Sequence, residues 1–218
     1  MSSHRLRSVV LRAFPALILC AAACVSETRG PSGEIVAEEE NGPSPVETAE
    51  AQVAALIRDL PRRSGADLLG ALDRIAFYKT LALRPIGEAL AKADPRTRSH
   101  LVYVLGVIGG SDAHRLIASR LGDADPVVRF EAASALLDAN DISGVPVLIA
   151  YLRDGDKRIR YKAFESLKRF TKQDFGYDFA AAEPAREAAV AKWDAWWSKT
   201  RAEMLYVGNS ERPASVQK

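Results

Sequence analysis

Apolar residues recur along this chain at three- and four-residue spacing, and the stripes they form recur every 31 residues. Leu105, Leu136 and Leu167 lie in phase, as do Leu90, Leu121 and Leu152. Within one unit, Val128, Ala132, Ala135, Leu136 and Ala139 make a single helical stripe. Asn140-Asp141 breaks the stripe and Gly144-Val145-Pro146 restarts it, predicting a second helix from Val147 through Leu152 to Gly155. The preceding unit repeats this plan, with Leu101, Val102, Leu105 and Ile108, a Gly109-Gly110 break, then Ala113 to Leu121. No stretch alternates apolar and polar for long enough to predict a strand. The pattern predicts an all-α chain of helical hairpins, each unable to bury its apolar face without its neighbours.

The helix starts carry the same period. Asp94-Pro95-Arg96-Thr97-Arg98, Asp125-Pro126-Val127-Val128-Arg129 and Asp156-Lys157-Arg158-Ile159-Arg160 each place an Asp four residues before an Arg. The Asp is suited to cap the first-turn amides, and Pro at the next position sacrifices no hydrogen bond there. The stretch Asp123-Ala124-Asp125-Pro126-Val127-Val128-Arg129, continuing through Ala132, Ala135 and Leu136, resembles the short bacterial HEAT repeat, D-x-D-P-x-V-R-x-x-A-x-x-A-L. The copy at Asp154 has Lys157 for Pro. The copy at Asp94 has Thr97 for the aliphatic residue and Leu101 for Ala, and an earlier unit, Leu68 to Leu90, lacks the Asp-Pro start. The resemblance implies a short right-handed α-solenoid with repeats at about 64–92, 94–122, 125–153 and 156–170. It implies little about activity, because many functions share such scaffolds.

A solenoid needs sealed ends. After the last repeat comes an aromatic, turn-rich loop, Thr171 to Phe179, then a helix expected over 184–205. Ala189, Val190, Trp193, Trp196, Trp197 and Met204 fall on one side of that helix, predicting a Trp-rich cap. The phrase FGYD, then Arg186, then WDAWW also resembles the C-terminal cap of certain bacterial HEAT-repeat proteins. At the other end, Ser44-Pro45-Val46-Glu47 predicts a capped helix start, followed by a stripe of Val46, Val53, Leu56, Ile57 and Leu60. The repeat domain is therefore expected over 44–207, with a frayed tail over 208–218.

Residues 1–24 read as a targeting segment: Arg5, Arg7 and Arg12 without an acid, then an apolar run from Phe14 to Ala23 too short to span a bilayer. Ala21-Ala22-Ala23-Cys24 resembles a bacterial lipobox with Ala in place of the usual Leu, which implies lipidation at Cys24. Cys20 lacks small residues before it. Both cysteines lie in this segment, so the remaining chain has no disulfide or thiol chemistry. Residues 25–43, with two Pro, three Gly and Glu38-Glu39-Glu40, are expected to be a disordered acidic tether.

The chain carries 30 Lys and Arg against 28 Asp and Glu; without the three signal Arg the balance is −1. Such a balance gives weak attraction to phosphate polymers, so no nucleic-acid partner is expected. One basic concentration stands out, Lys157, Arg158, Arg160, Lys162, Lys168, Arg169 and Lys172 on the last repeat, read as a solvated face or a contact for an anionic surface. Three His occur, at 4, 100 and 114, and the sequence holds no HExxH, CxxC, GxSxG or phosphate-cradling Gly loop. No catalytic residue, metal site or cofactor is therefore expected. The expectation is a non-catalytic adaptor, lipid-anchored in a bacterial envelope, binding a protein or peptide on the concave face lined by second helices. Repeat phase nominates Arg84, Glu88, His114, Arg115, Ser119 and Arg153 for that groove. The alternative is an enzyme or accessory lyase subunit acting on a groove-bound ligand, since relatives of these repeats resemble chromophore-lyase subunits and DNA-repair glycosylases.

Overall fold

Four of the longer helices begin on a side chain that caps them. The computed structural model describes residues 43–210, with side chains to 204. Helix α1 (Pro45–Asp59) opens on Ser44, whose hydroxyl accepts from the Glu47 amide while the Glu47 carboxylate accepts from the Ser44 amide, a complete capping box. Asp94, Asp125 and Asp156 accept first-turn amides of α4 (Pro95–Ile108), α6 (Pro126–Asp138) and α8 (Lys157–Thr171) at 2.8 to 3.3 Å. The remaining helices are α2 (Gly65–Phe77), α3 (Leu83–Leu90), α5 (Ser111–Ala118), α7 (Val145–Tyr151) and α9 (Glu183–Ser210). Among the described residues there is no strand.

The helices form two layers. Helices α2, α4, α6 and α8 pack successively side by side, and α3, α5 and α7 cover them as the second helices of three hairpins. In the second layer α1 lies against α3 and α9 against α7. The fourth repeat thus has a single helix, α8, and α9 belongs to the layer of its missing partner. Leu105, Leu136 and Leu167 are fully buried in the first layer, and Ile86, Ile117 and Leu148 in the second, each set at the 31-residue step. In α2 the step shortens to 30: Ala71, Leu72 and Ile75 are buried as Leu101, Val102 and Leu105 are. Helix α6 joins two apolar clusters, contributing Ala132 and Leu136 to one and Ala133 and Leu137 to the other.

Glycines fix how two of the hairpins turn. Gly109 and Gly110 both have positive φ, 68° and 87°, so α4 ends and α5 begins within two residues. A Cβ on Gly144 would lie 2.3 Å from the Ala133 carbonyl oxygen, so only Gly lets the turn before α7 sit against α6.

The C-terminal cap departs from expectation. Helix α9 runs from 183 to 210, so residues 208–210 are helical rather than frayed. Trp193 is fully buried with edge-on contact to Phe175, but Trp196 and Trp197 are half-buried and Met204 is 47 % exposed. The reason is length: a 28-residue helix of about 42 Å packs on a seven-residue helix of about 10 Å and outruns it. The expected targeting segment with Cys24, the expected tether as far as residue 42, and residues 211–218 lie outside the described residues.

The repeated Arg forms the joint between repeats. Arg98 donates to the Ala93 carbonyl at 2.7 Å, Arg129 to those of Asp123 and Ala124 at 2.6 and 3.0 Å, and Arg160 to those of Asp154 and Gly155 at 2.7 and 3.0 Å. Each guanidinium thus ties down the loop that precedes its own helix. The phase of Arg129 suggests Asp side chains as partners, but its acceptors are backbone carbonyls, because the loop folds its peptide oxygens inward beneath the helix. Arg98 also grips Asp123 of the next repeat through Nη2 and Nε at 2.6 and 2.9 Å, and Arg160 reaches the Phe179 carbonyl at 2.9 and 3.0 Å. Burial works against ionisation of Asp123, but hydrogen bonds from Arg98 and the Asp125 amide, with the fields of Arg98 and Arg120, outweigh it and hold its carboxyl below the usual range.

Urea melts should rank three substitutions. Leu136→Ala leaves a cavity in the joined core and costs about 2–5 kcal/mol. Arg129→Ala costs about 1.5–3 kcal/mol, the range for charge-assisted hydrogen bonds. Asp123→Ala strands Arg98 and costs about 3 kcal/mol at neutral pH. Because the folded Asp123 carboxyl is depressed, its contribution is complete above the unfolded value of about 3.9 and is lost as pH falls through the folded value. The gap between Asp123→Ala and the parent should narrow below pH ~4, whereas the Leu136→Ala gap should lack this contribution.

Candidate functional site

The short second helices present the six nominated side chains, but in separate groups. Arg84 and Glu88 project from α3, where Arg84 pairs with Glu88 and with Glu50 of α1, each at 3.3 Å. His114 and Arg115 lie on α5, with His114 half-buried and Arg115 paired to Asp112. Ser119, at the C-terminal end of α5, donates its hydroxyl to the Leu116 carbonyl at 2.6 Å. Arg153, just beyond α7, is held by Glu187 and Asp194 of α9 at 2.9 and 3.0 Å. All six sit in the second layer, and the Arg side chains are engaged with their own neighbours rather than with one another.

Between these groups the layer opens twice. One cleft, about 410 Å³, lies between the C-terminal end of α1 (Ala54, Ile57, Arg58) with Pro61 just beyond it and α3 (Pro85, Glu88, Ala89), and Lys92 and Asp94 also line it. The other, about 480 Å³, lies between Leu121 and α7 (Pro146, Val147, Ala150, Tyr151), with Arg129, Arg153 and Asp154 at its edge. Pro85, Glu88, Ala89 and Lys92 match Val147, Ala150, Tyr151 and Asp154 at a step of 62, two repeats. The clefts are the same feature in different repeats. Of the nominated residues, Glu88 and Arg153 line them. The apolar liners Pro85, Ala89, Val147 and Ala150 carry no distinctive chemistry; the signal that could have found them is repeat phase one turn off the buried stripe.

In the repeat between, Leu116, Ser119 and Arg120 occupy the matching positions. Leu116 lies over Gly87 of α3, where a Cβ would meet its Cδ2 at 3.4 Å. Arg120 Nη1 donates to the Leu90 carbonyl at 3.2 Å. Side chains therefore occupy the space that stands open on either side.

The first-helix layer has different chemistry. Leu69, Phe77, Tyr103, Val107 and Tyr161 are exposed on it. A furrow between α4 and α6 is lined by Tyr103, Gly106, Val107, Glu131, Ser134 and Asp138, and the Ser134 hydroxyl is buried with no protein partner. Burial raises the Glu131 carboxyl, with Lys162 partly offsetting it. Burial lowers His100, helped by the field of Arg96. On the last repeat Lys157, Arg158, Tyr161, Lys162 and Phe179 line a further cleft. Its surroundings are less basic than the sequence suggests: Arg160 is buried in the joint, Arg158 pairs with Asp156 at 2.9 Å, and Arg169 pairs with Asp138.

Among the described residues, no group of three or more His, Cys, Asp and Glu side chains is placed to hold a metal ion, and no helix is long and apolar enough to cross a membrane.

Two layers of helical hairpins, stacked at a step of 30 or 31 residues over two apolar clusters that α6 joins, define a helical-repeat scaffold. The profile of the family described as HEAT repeats matches residues 83–168 and again 119–195, together more than half of the 218-residue chain. The chain belongs to the HEAT-repeat family. Among curated proteins none matches it.

The furrow makes one testable demand on pH. The folded Glu131 carboxyl is raised, so its stabilising contribution is complete below the unfolded value of about 4.3 and is lost as pH rises through the folded value. Glu131→Gln keeps the neutral form at every pH. Thermal melts should show the variant more stable than the parent at pH 7–8 and level with it near pH 4.

Proposed function

We propose that this protein is a non-catalytic adaptor, lipid-anchored through Cys24 on the exported side of a bacterial envelope, that holds a protein or peptide on its second-helix face. The observation that carries the binding reading is the pair of repeat-matched, apolar-floored clefts on that face. HEAT repeats are generally interaction scaffolds. A core stitched from α1 to α9 provides a firm surface, so a partner would bind without reordering the domain. The anchoring reading is supported by the basic and apolar N-terminal segment and by the small residues before Cys24.

A lyase-like reading on the second-helix face requires a reactive acid or imidazole in one of its two clefts. In the first cleft Glu88 is paired with Arg84, and Asp94 caps α4, where hydrogen bonds from the Thr97 hydroxyl and amide hold its carboxyl low, the wrong direction for a general acid. His114 lines neither cleft. These features favour the adaptor. The basic cleft beside α8 is the rival surface, for an anionic membrane or polymer.

Metabolic labelling with a fatty-acid probe should mark the parent and not Cys24→Ser, while Cys20→Ser keeps the label; undiminished label on Cys24→Ser would remove the anchor. Crosslinking in the native envelope should then yield a protein partner. Glu88→Arg combined with Arg153→Glu, one change in each cleft, should lower its capture at least tenfold with helicity unchanged, and Lys162→Glu with Lys168→Glu should leave it intact. Loss confined to the second pair would move the binding surface to the last repeat.

A further inference from the structure

We infer that the partner is an extended segment with two apolar side chains about five or six residues apart and an acidic residue between them, one anchor in each cleft and the acid on Arg120. This rests on the adaptor reading above and specifies the chemistry of its site.

The repeat itself sets the anchor spacing. The clefts are related by two repeat steps, 62 residues in sequence. Neighbouring helices pack about 8–10 Å apart, so the clefts are separated by roughly 16–20 Å. An extended chain advances about 3.3–3.6 Å per residue, which gives the five- or six-residue interval. Both clefts expose apolar surface from short, regular helices, Pro85 and Ala89 in one, Val147 and Ala150 in the other. Each is suited to one aliphatic or aromatic side chain rather than to a whole helix.

The acid is required by an imbalance of charge midway. Asp123 is committed to Arg98, which grips both its oxygens at 2.6 and 2.9 Å. Arg120 reaches the same carboxylate only at 3.8 Å, and its hydrogen bonds go to the Leu90 carbonyl and the Ser119 hydroxyl, both at 3.2 Å. One carboxylate therefore serves two guanidiniums. Arg120 holds the position matching Ala89 and Tyr151, between the clefts, so a segment seated in both crosses it. A partner carboxylate there completes the neutralisation in a partly desolvated place, where a charge-assisted hydrogen bond contributes most.

The test uses residues 25–218, which include the whole compact unit from Pro43 onward, and a displayed library of random 12-residue peptides as the probe. Enriched peptides should carry two large apolar residues five or six apart with Asp or Glu between. Ala89→Arg puts the middle repeat's side chain into the first cleft, and Ala150→Arg crowds the second. Each should weaken a recovered peptide at least tenfold, because the second anchor is lost with its site, while circular dichroism and the urea midpoint report an intact fold. Arg120→Ala opens the space between, and should relax the demand for an acid and admit anchors about half as far apart. No enrichment, single-anchor peptides, or binding indifferent to both cleft variants overturns the proposal. In the native envelope, a crosslinked partner whose capture survives Ala89→Arg and Ala150→Arg overturns this inference and leaves the adaptor reading standing. Failure to crosslink any partner overturns the adaptor reading whatever the library yields.

Discussion

The guanidinium of the repeated Arg turns each connecting loop into a fixed joint. A loop that crosses between layers brings peptide carbonyls into places water reaches poorly, and an unpaired carbonyl there is costly. Arg98, Arg129 and Arg160 meet that need with long, planar donors rooted one turn into the following helix. Each ties its loop to its own helix, and Arg98 and Arg160 extend the tie onward, to Asp123 and to the Phe179 carbonyl. Hairpin is thereby locked to hairpin by polar contacts at the edge, while Leu105, Leu136 and Leu167 lock them through the core.

Once the joints are set, the ends follow from the requirement that no repeat face be left bare. Helix α1 covers α3 without a partner of its own in the first layer, and α9 covers α7. Neither is a copy of the repeat, and each differs from it as its task requires. Helix α1 opens on a full capping box, which satisfies the Ser44 and Glu47 amides within the helix start itself. Helix α9 brings aromatic bulk where it meets the core, Trp193 against Phe175, and further on exposes Lys199, Arg201 and Glu203.

Period and departure from period divide the labour. Positions that keep the 31-residue step, such as Ile86, Ile117 and Leu148, build the scaffold. The position one turn removed holds Ala89, Arg120 and Tyr151, three residues with nothing in common. Small and aromatic residues there line clefts, whereas Arg fills the space and brings a charge. A solenoid of identical units would have an even surface; this one acquires a pattern along the second layer because its copies diverge where the core does not constrain them.

Much of this architecture was legible in the chain, because helix caps and buried stripes are local or periodic and are enforced by hydrogen bonding and burial within each unit. Ser44, Asp125 and Leu136 could be assigned from their neighbours alone. The candidate site was legible only in part: the second-helix face followed from phase, but Arg84 and Arg153 could not be known to spend their charge on Glu50, Glu187 and Asp194. Long side chains choose partners by distance across helices, and the pairs Arg84–Glu50 and Arg153–Asp194 are 34 and 41 residues apart in sequence. The clefts were hidden for the same reason, since an opening between α1 and α3 belongs to neither helix. Sequence alone determined the repeat, its caps and its buried face; tertiary structure decided which charges were neutralised and where the surface stayed open, because both depend on contacts between units rather than within them.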